Sequence, residues 1–211
     1  MDQLKQVNDV TSLFAVENGL VFENHPHALS DTAEEVVAQK APSTPPRTPD
    51  HGPNLNQLRP DQICIYRFDN AVSSRHTMVY VSEYKPPHKL TAPHLCLGLR
   101  PMDIYKDIVN RKTIPASVEP KALFQYHADK LVVSATTQTY HYMIEGGLEY
   151  GLLITDEAIV FLKIDWEGPE TLYYHLAKPG PEAPVQPEHF HVYTAVGQYL
   201  AFTLMALGPP G

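Results

Sequence analysis

The chain has 211 residues, with 16 Lys and Arg against 24 Asp and Glu and a net charge of −8. This acidic balance argues against broad electrostatic capture of nucleic acid, which needs many cationic contacts with phosphate, but it leaves room for a local basic groove or a bridging metal. A hydrophobic content of 43% can fill the core of one domain, and two cysteines cannot build a disulfide framework. Without a signal-peptide core or a membrane-length apolar run, we expect an intracellular protein, cytoplasmic or nuclear, with no membrane partner.

The N-terminal part predicts few regular elements. Residues 2–16 carry apolar side chains at helical spacing, residues 20–22 predict a short strand, and residues 32–39 predict a short helix. We assign residues 1–40 to this lead-in. Residues 41–60 are rich in proline, which favours neither a helix nor a central strand, so we expect a mobile surface loop there.

Residues 61–207 predict an α/β core. Strands are expected over 62–68 and 77–84, joined as a hairpin, and over 150–154, 158–164 and 171–176. Helices are expected over 102–112, 128–145 and 192–207, and residues 208–211 resemble the start of a linker. This order predicts an α/β sandwich with three layers around a central mixed sheet.

Asp61, Glu83 and Lys85 form the strongest candidate site. Side chains alternate across a strand, so Glu83 and Lys85 share a face, and an antiparallel hairpin brings Asp61 beside them. Two carboxylates suit Mg²⁺ or Mn²⁺, and a nearby lysine can orient water or neutralise charge on phosphate. The alternative is a solvated strand end with an incidental ion pair. A second Glu-x-Lys triplet, at Glu119, contains a proline unsuited to an interior strand.

Gln138 and Tyr142 stand four residues apart on the long predicted helix and therefore share one face. Such a face can lie beside a metal centre, with the amide bonded to a ligand or substrate. Alternatively, Tyr142 is a core residue and Gln138 a surface amide.

These residues, in this order, resemble the PD-(D/E)XK nuclease superfamily and its RecB-like branch. The chain also resembles the region upstream of the kinase-like domain in fungal-type protein kinase proteins, which are related to Crinkler-type effectors. The resemblance implies a restriction-endonuclease-like core, with Asp61 and Glu83 as metal ligands, Lys85 as the catalytic lysine, and Gln138 and Tyr142 as auxiliary residues. The sequence segments that show the resemblance to the fungal proteins are Phe22-Glu23-Asn24-His25, Glu83-Tyr84-Lys85-Pro86-Pro87-His88-Lys89-Leu90, Tyr150-Gly151 and Val160-Phe161-Leu162.

The same superfamily often adds a glutamate from its first helix. In this chain Glu17 follows the predicted helix and Glu23 lies on the next strand, and either could serve; we include Glu23 among the metal ligands. The RecB-like histidine motif is not visible in recognisable spacing.

Other chemical groups are weaker candidates. His189 and His191 would share a strand face, but no further ligand stands at zinc spacing, so we assign them a structural or surface role. Lys85, His88 and Lys89 could form a basic rim for phosphate or a solvated loop. Cys96 is expected to be a packed or inert thiol.

Three functions are compatible with these patterns. The first is metal-dependent phosphodiester hydrolysis of DNA or RNA. The second is a catalytically inactive module that binds a partner or an adjoining or separate kinase-like domain. The third, less favoured, is a substrate-binding domain with no nuclease ancestry. The sequence does not specify the oligomeric state.

Overall fold

A computed structural model describes residues 19–24, 60–69 and 74–208. The helices predicted over 2–16 and 32–39, the proline-rich segment before Pro60, and Glu17 lie outside the described residues.

A single mixed sheet organises the domain. Its strands lie in chain order from β1 to β6, and every neighbouring pair is antiparallel except β3 and β4, which are parallel. The predicted mixed α/β architecture is therefore confirmed. The strands are β1 (Leu20–Glu23), β2 (Gln62–Asp69), β3 (Ser74–Tyr84), β4 (Tyr150–Ile154), β5 (Ile159–Ile164) and β6 (Leu172–Ala177).

Helices connect and cover these strands. A parallel pair needs a crossover connection, and the longest helix supplies it between β3 and β4. The helices are α1 (Ala92–Gly98), α2 (Pro120–Gly146), α3 (Pro179–Glu182), α4 (Phe190–Tyr193) and α5 (Ala195–Leu207), with a π-helical turn at Tyr105–Val109 and 3-10 turns at Ala183–Val185 and Pro187–His189.

Several predicted helix boundaries were wrong. Helix α2 begins eight residues before the predicted start, because Pro120 occupies a first-turn position where its missing N–H costs nothing. The helix predicted over 102–112 is only a π-helical turn, and the backbone N–H of Asp103, just before it, donates to the carboxylate of Asp107 within it. Helix α1 was not predicted.

The sheet separates two hydrophobic clusters. Ile63 and Val81 lie in the cluster that includes Val132 of α2. The intervening side chains, such as Tyr80, lie in the other cluster with Phe202 of α5. Alternation along β2 and β3 thus sends successive side chains to different helices, which produces three layers.

The C-terminal helix is broken where one continuous helix was predicted over 192–207. The backbone of Thr194 is extended, and its hydroxyl accepts a hydrogen bond from Gly197 N at 3.0 Å. Gly197 has no room for a Cβ, which would collide with the carbonyl oxygen of His191. His189 and His191 do not share a strand face as expected, because they lie in a 3-10 turn and in α4.

Within the described ranges, no single helix is long and apolar enough to cross a membrane. One bent pair, Pro187–Tyr193 with Ala195–Leu207 at 60°, passes the same test by length and composition alone.

Candidate functional site

Asp61 and Glu83 lie opposite each other at one end of the β2–β3 pair. Gln62 is paired with Ser82, so the antiparallel register continued by one residue places Asp61 across from Glu83. The carboxylate of Asp61 accepts a hydrogen bond from the backbone N–H of Tyr84 at 2.7 Å. Asp61 is exposed, whereas Glu83 is buried. One carboxylate of the pair therefore faces solvent and the other faces the protein.

Glu83, Lys85 and Gln138 form a closed polar triangle. Lys85 Nζ donates to Glu83 Oε1 at 2.7 Å and to Gln138 Oε1 at 2.8 Å. Gln138 Nε2 donates to the same Glu83 oxygen at 2.8 Å and to the hydroxyl oxygen of Tyr142 at 3.1 Å. The structure thus brings together two strand residues and two helix residues that the sequence had singled out. Asp61, Glu83, Lys85 and Gln138 are called the Glu83 centre below.

The local sequence explains this placement. Glu83 and Lys85 lie two residues apart at the end of β3, and the backbone N–H of Lys85 donates to Ile154 of β4 at 2.8 Å. Pro86 and Pro87 cannot donate further backbone hydrogen bonds to the sheet, so the strand ends there. Helix α2 then returns across this face of the sheet, which positions Gln138 above the strand end.

The Glu83 carboxyl lies in an unusual environment for an acid. It is 4% exposed, and its Oε2 atom is buried without a hydrogen-bond partner among the described residues. Burial raises the pKa of Glu83, the hydrogen bond and charge of Lys85 lower it, and the charge of Asp61 raises it. Burial prevails, so the pKa of Glu83 stays above its ordinary value.

Glu23 does not join this centre through a hydrogen bond or ion pair in the described structure. Its Oε1 atom instead accepts a hydrogen bond from Arg67 Nη2 at 2.6 Å, across the β1–β2 pair. Its other oxygen, Oε2, is buried without a hydrogen-bond partner in the same part of the chain.

The donor set allows a test of the predicted metal. The described residues contain no group of three or more His, Cys, Asp or Glu that could hold a metal ion. Two carboxylates remain, Asp61 and Glu83, and Mg²⁺ is commonly bound through one or two carboxylates with several waters. The unpartnered Glu83 oxygen and the exposed Asp61 fit such a water-rich site and do not fit a closed protein cage.

Sequence reasoning missed a second polar cluster, at the start of α2. Asp129 is 1% exposed and accepts hydrogen bonds from Arg100 at 3.1 Å and from Gln125 at 2.8 Å. Arg111 Nη1 lies 3.6 Å from the same carboxylate. The available signal was an acid between the apolar and small residues of a long predicted helix, because an acid buried there needs a cationic partner.

The remaining candidates lie on the surface of the described structure. His189 and His191 are exposed. Cys96 is also exposed, so it is not packed, and the other predicted alternative, an inert thiol, stays a prediction. His88 and Lys89 lie on an exposed turn after β3. Cavities of about 570 and 770 Å³ occur elsewhere, and neither is lined by Glu83, Lys85 or Gln138.

Comparisons with known proteins identify related chains. The family model described as the Spore killer 2 N-terminal domain matches residues 19–209. The meiotic driver SPOK2 of Podospora anserina is 24% identical over 164 residues, which cover 72% of this chain and 21% of that protein. The chain thus spans about a fifth of the length of this curated relative. No solved structure matches it.

These matches correct the resemblance drawn from the sequence. The assignment to a PD-(D/E)XK domain of fungal-type protein kinase or Crinkler-type proteins is wrong, because the matching family is a spore-killer family. Neither match names a kinase-like or Crinkler-type protein. Short patterns such as Glu-x-Lys, which occurs twice in this chain, contain too few residues to separate families.

Proposed function

The chain belongs to the Spore killer 2 N-terminal domain family, and from that premise we propose that its Glu83 centre hydrolyses phosphodiester bonds of nucleic acid with Mg²⁺ or Mn²⁺. The observation that carries this proposal is the buried Glu83 carboxylate. One of its oxygens is held by Lys85 and Gln138, and the other has no partner among the described residues. Buried charges are normally paired or coordinate a metal, and Mg²⁺ is commonly bound through one or two carboxylates, so an unpaired carboxylate oxygen beside a second acid supports a cation at this position.

Each residue has a distinct role in the proposed reaction. Asp61 and Glu83 hold the metal ion, which when bound supplies an activated water and neutralises charge on the phosphate. Lys85 places its ammonium beside the same carboxylate and stabilises the negative charge that develops on the phosphate oxygens. Gln138 bonds to both Glu83 and Lys85 and fixes their separation. Tyr142 positions that amide through its hydroxyl oxygen.

The shape of the centre favours a polymer over a small molecule. Small-molecule sites are usually enclosed apolar pockets. Asp61 is exposed, and the Glu83 centre lines neither of the two cavities described above. A phosphodiester in a long nucleic acid can reach the exposed end of the β2–β3 pair, whereas a small substrate would lack surrounding contacts there.

A cleavage assay with a matched variant tests the proposal. Plasmid and single-stranded DNA and RNA are incubated with the chain in Mg²⁺ or Mn²⁺, alongside Lys85→Ala and Lys121→Ala. Lys121 belongs to the other Glu-x-Lys triplet and is exposed at the start of α2, so its replacement controls for the loss of a lysine. We expect metal-dependent cleavage by the original chain and by Lys121→Ala, reduced at least a hundredfold in Lys85→Ala.

Two results would contradict this function. One is equal cleavage by the original chain and Lys85→Ala, which would indicate a contaminating nuclease. The other is absence of both cleavage and calorimetrically detectable Mg²⁺ or Mn²⁺ binding.

A second candidate is a non-catalytic module that binds a partner. It is favoured by the absence of a three-residue metal-ligand group in the described structure and by the ion pair that Lys85 already gives Glu83. On this hypothesis Lys85→Ala lowers stability without changing any cleavage activity, and metal ions do not shift the melting temperature.

The relative's printed name suggests a biological setting. We propose that the Glu83 centre contributes to meiotic drive as part of a longer protein. In a cross in which one parent carries the gene, surviving spores should then inherit the original gene more often than half the time. A Lys85→Ala gene that is still inherited in excess would exclude the centre from the drive activity.

A further inference from the structure

A cluster of three cations lies at the start of α2, away from the Glu83 centre. Arg111 Cζ lies 5.0 Å and Lys130 Nζ 5.3 Å from the centroid of the Tyr126 ring. Arg100 and Arg111 both approach the buried carboxylate of Asp129. We call Arg100, Arg111, Tyr126, Asp129 and Lys130 the Tyr126 cluster. Its three cations and one carboxylate give a local charge of +2 within a chain of net charge −8.

The cluster has more cationic groups than Asp129 requires. Arg100 at 3.1 Å and Gln125 at 2.8 Å already satisfy the carboxylate oxygens, and Arg111 stands farther away at 3.6 Å. The side chains of Arg100 and Arg111 remain 42% and 30% exposed, so part of each side chain faces solvent. The aromatic ring and the buried acid hold these cations in place before any ligand binds, which lowers the entropy cost of binding.

A continuous polar row on α2 joins the Tyr126 cluster to the Glu83 centre. Residues four apart form a ridge on a helix surface. Lys130 donates to the hydroxyl oxygen of Tyr126 at one end, and Gln138 donates to that of Tyr142 at the other. Lys130 and Gln138 are eight residues apart, about 12 Å along the axis. The row consists of Tyr126, Lys130, Ser134, Gln138 and Tyr142.

We propose that the Tyr126 cluster binds the phosphate backbone of a nucleic acid strand and directs that strand along this row to the Glu83 centre. The inference deepens the proposed hydrolytic function and rests on it. Guanidinium groups match phosphate geometry, and an exposed lysine adds a further contact. An axial offset of about 12 Å corresponds to roughly three or four base pairs along a duplex, in which each strand has one phosphate per about 3.4 Å of axis. The cluster thereby supplies the local basic surface that the net charge of the chain does not.

Binding is measured without metal, so that it does not depend on cleavage. Fluorescein-labelled 20-nucleotide DNA and RNA of one sequence, single-stranded and duplex, are titrated with the full chain in EDTA at several salt concentrations. Lys130→Gln is compared with Lys163→Gln. Lys163 is half exposed, and its neighbours Leu162 and Ile164 belong to the α2-side cluster, so it projects from the α5 side of the sheet. Each variant removes one positive charge.

Lys130→Gln should weaken binding about fivefold near 0.1 M salt and lower the slope of log affinity against log salt by about 0.7 for single strands or about 0.9 for duplexes. Lys163→Gln should stay within twofold of the original chain. The probes that bind show whether the cluster recognises DNA or RNA, and single strands or duplexes. No binding by the original chain to any probe, or equal effects of the two variants, overturns the proposal.

A parallel cleavage assay in Mg²⁺ distinguishes failure of the proposed hydrolysis at the Glu83 centre from failure of the proposed binding at the Tyr126 cluster. Binding that depends on Lys130 without cleavage supports the backbone site and removes the hydrolytic function. Cleavage with binding insensitive to Lys130→Gln leaves the hydrolytic function and overturns the backbone site.

Discussion

Lys85 and Glu83 are bonded side chain to side chain at the end of β3, with 2.7 Å between Nζ and Oε1. Both are largely buried, at 18% and 5% side-chain exposure. Gln138 bridges them and bonds to each. The Glu83 carboxylate is therefore compensated by the Lys85 ammonium and not by water, because neither side chain has full access to solvent.

Replacing Lys85 with methionine should destabilise the fold by about 1–3 kcal/mol at neutral pH, because it leaves the Glu83 carboxylate buried without its cation. Urea denaturation of the original chain and of Lys85→Met measures this difference. The double variant Glu83→Gln/Lys85→Met should recover most of the loss, since an amide needs no counterion. A double variant as unstable as the sum of the single variants would show that the two side chains act independently.

The raised pKa of Glu83 predicts a pH dependence of stability. Because the native state favours the protonated carboxyl more than the unfolded state does, the contribution of Glu83 is fully present below the unfolded pKa and is lost as pH rises through the folded pKa. Glu83→Gln has no such titration. Its stability relative to the original chain should therefore improve between the ordinary carboxyl pKa and the raised one. Urea denaturation from about pH 4 to pH 8 tests the sign, and a difference that is flat or falls with pH would contradict it.

Gly98 is required where α1 meets α2. A Cβ at this position would lie 2.6 Å from Val132 Cγ2 and 2.8 Å from the carbonyl oxygen of Ala128, and the backbone atom cannot give way. Gly98→Ala should therefore cost about 1–3 kcal/mol of unfolding free energy. Gly180→Ala is the matched control, because a Cβ added at Gly180 would meet no neighbouring atom within 4 Å. This variant should change the free energy of unfolding by less than about 0.5 kcal/mol. Equal losses of stability in Gly98→Ala and Gly180→Ala would show that α1 does not pack closely against α2 at Gly98.

The two cysteines should differ in reactivity. Cys64 is fully buried and desolvation raises its pKa to about 11, with a smaller lowering by a hydrogen bond with Tyr80, whereas Cys96 is exposed. A thiol reagent near pH 8 should therefore modify one cysteine in the native chain and both after denaturation, as counted by mass spectrometry. Rapid modification of both native thiols would show that the sheet opens on the α5 side.

The sheet was largely predictable because apolar runs bounded by prolines and polar turns specify strands directly. Residues 150–154 are an example, since this predicted strand corresponds to β4 as observed. Helix α1 was missed because its seven residues contain too little periodicity, and its position depends on contact with α2. The break at Thr194 was missed because a capping hydroxyl and a glycine interrupt an otherwise continuous apolar pattern.

By itself the sequence determined the α/β class and the proximity of Glu83 and Lys85, because side-chain alternation along a strand is a local property. Only the tertiary structure decided that Gln138 closes a triangle with them, that Glu23 turns to Arg67, and that two arginines converge on Asp129. These relationships join elements distant in sequence. Their geometry depends on how helices pack on the sheet, which no short pattern encodes.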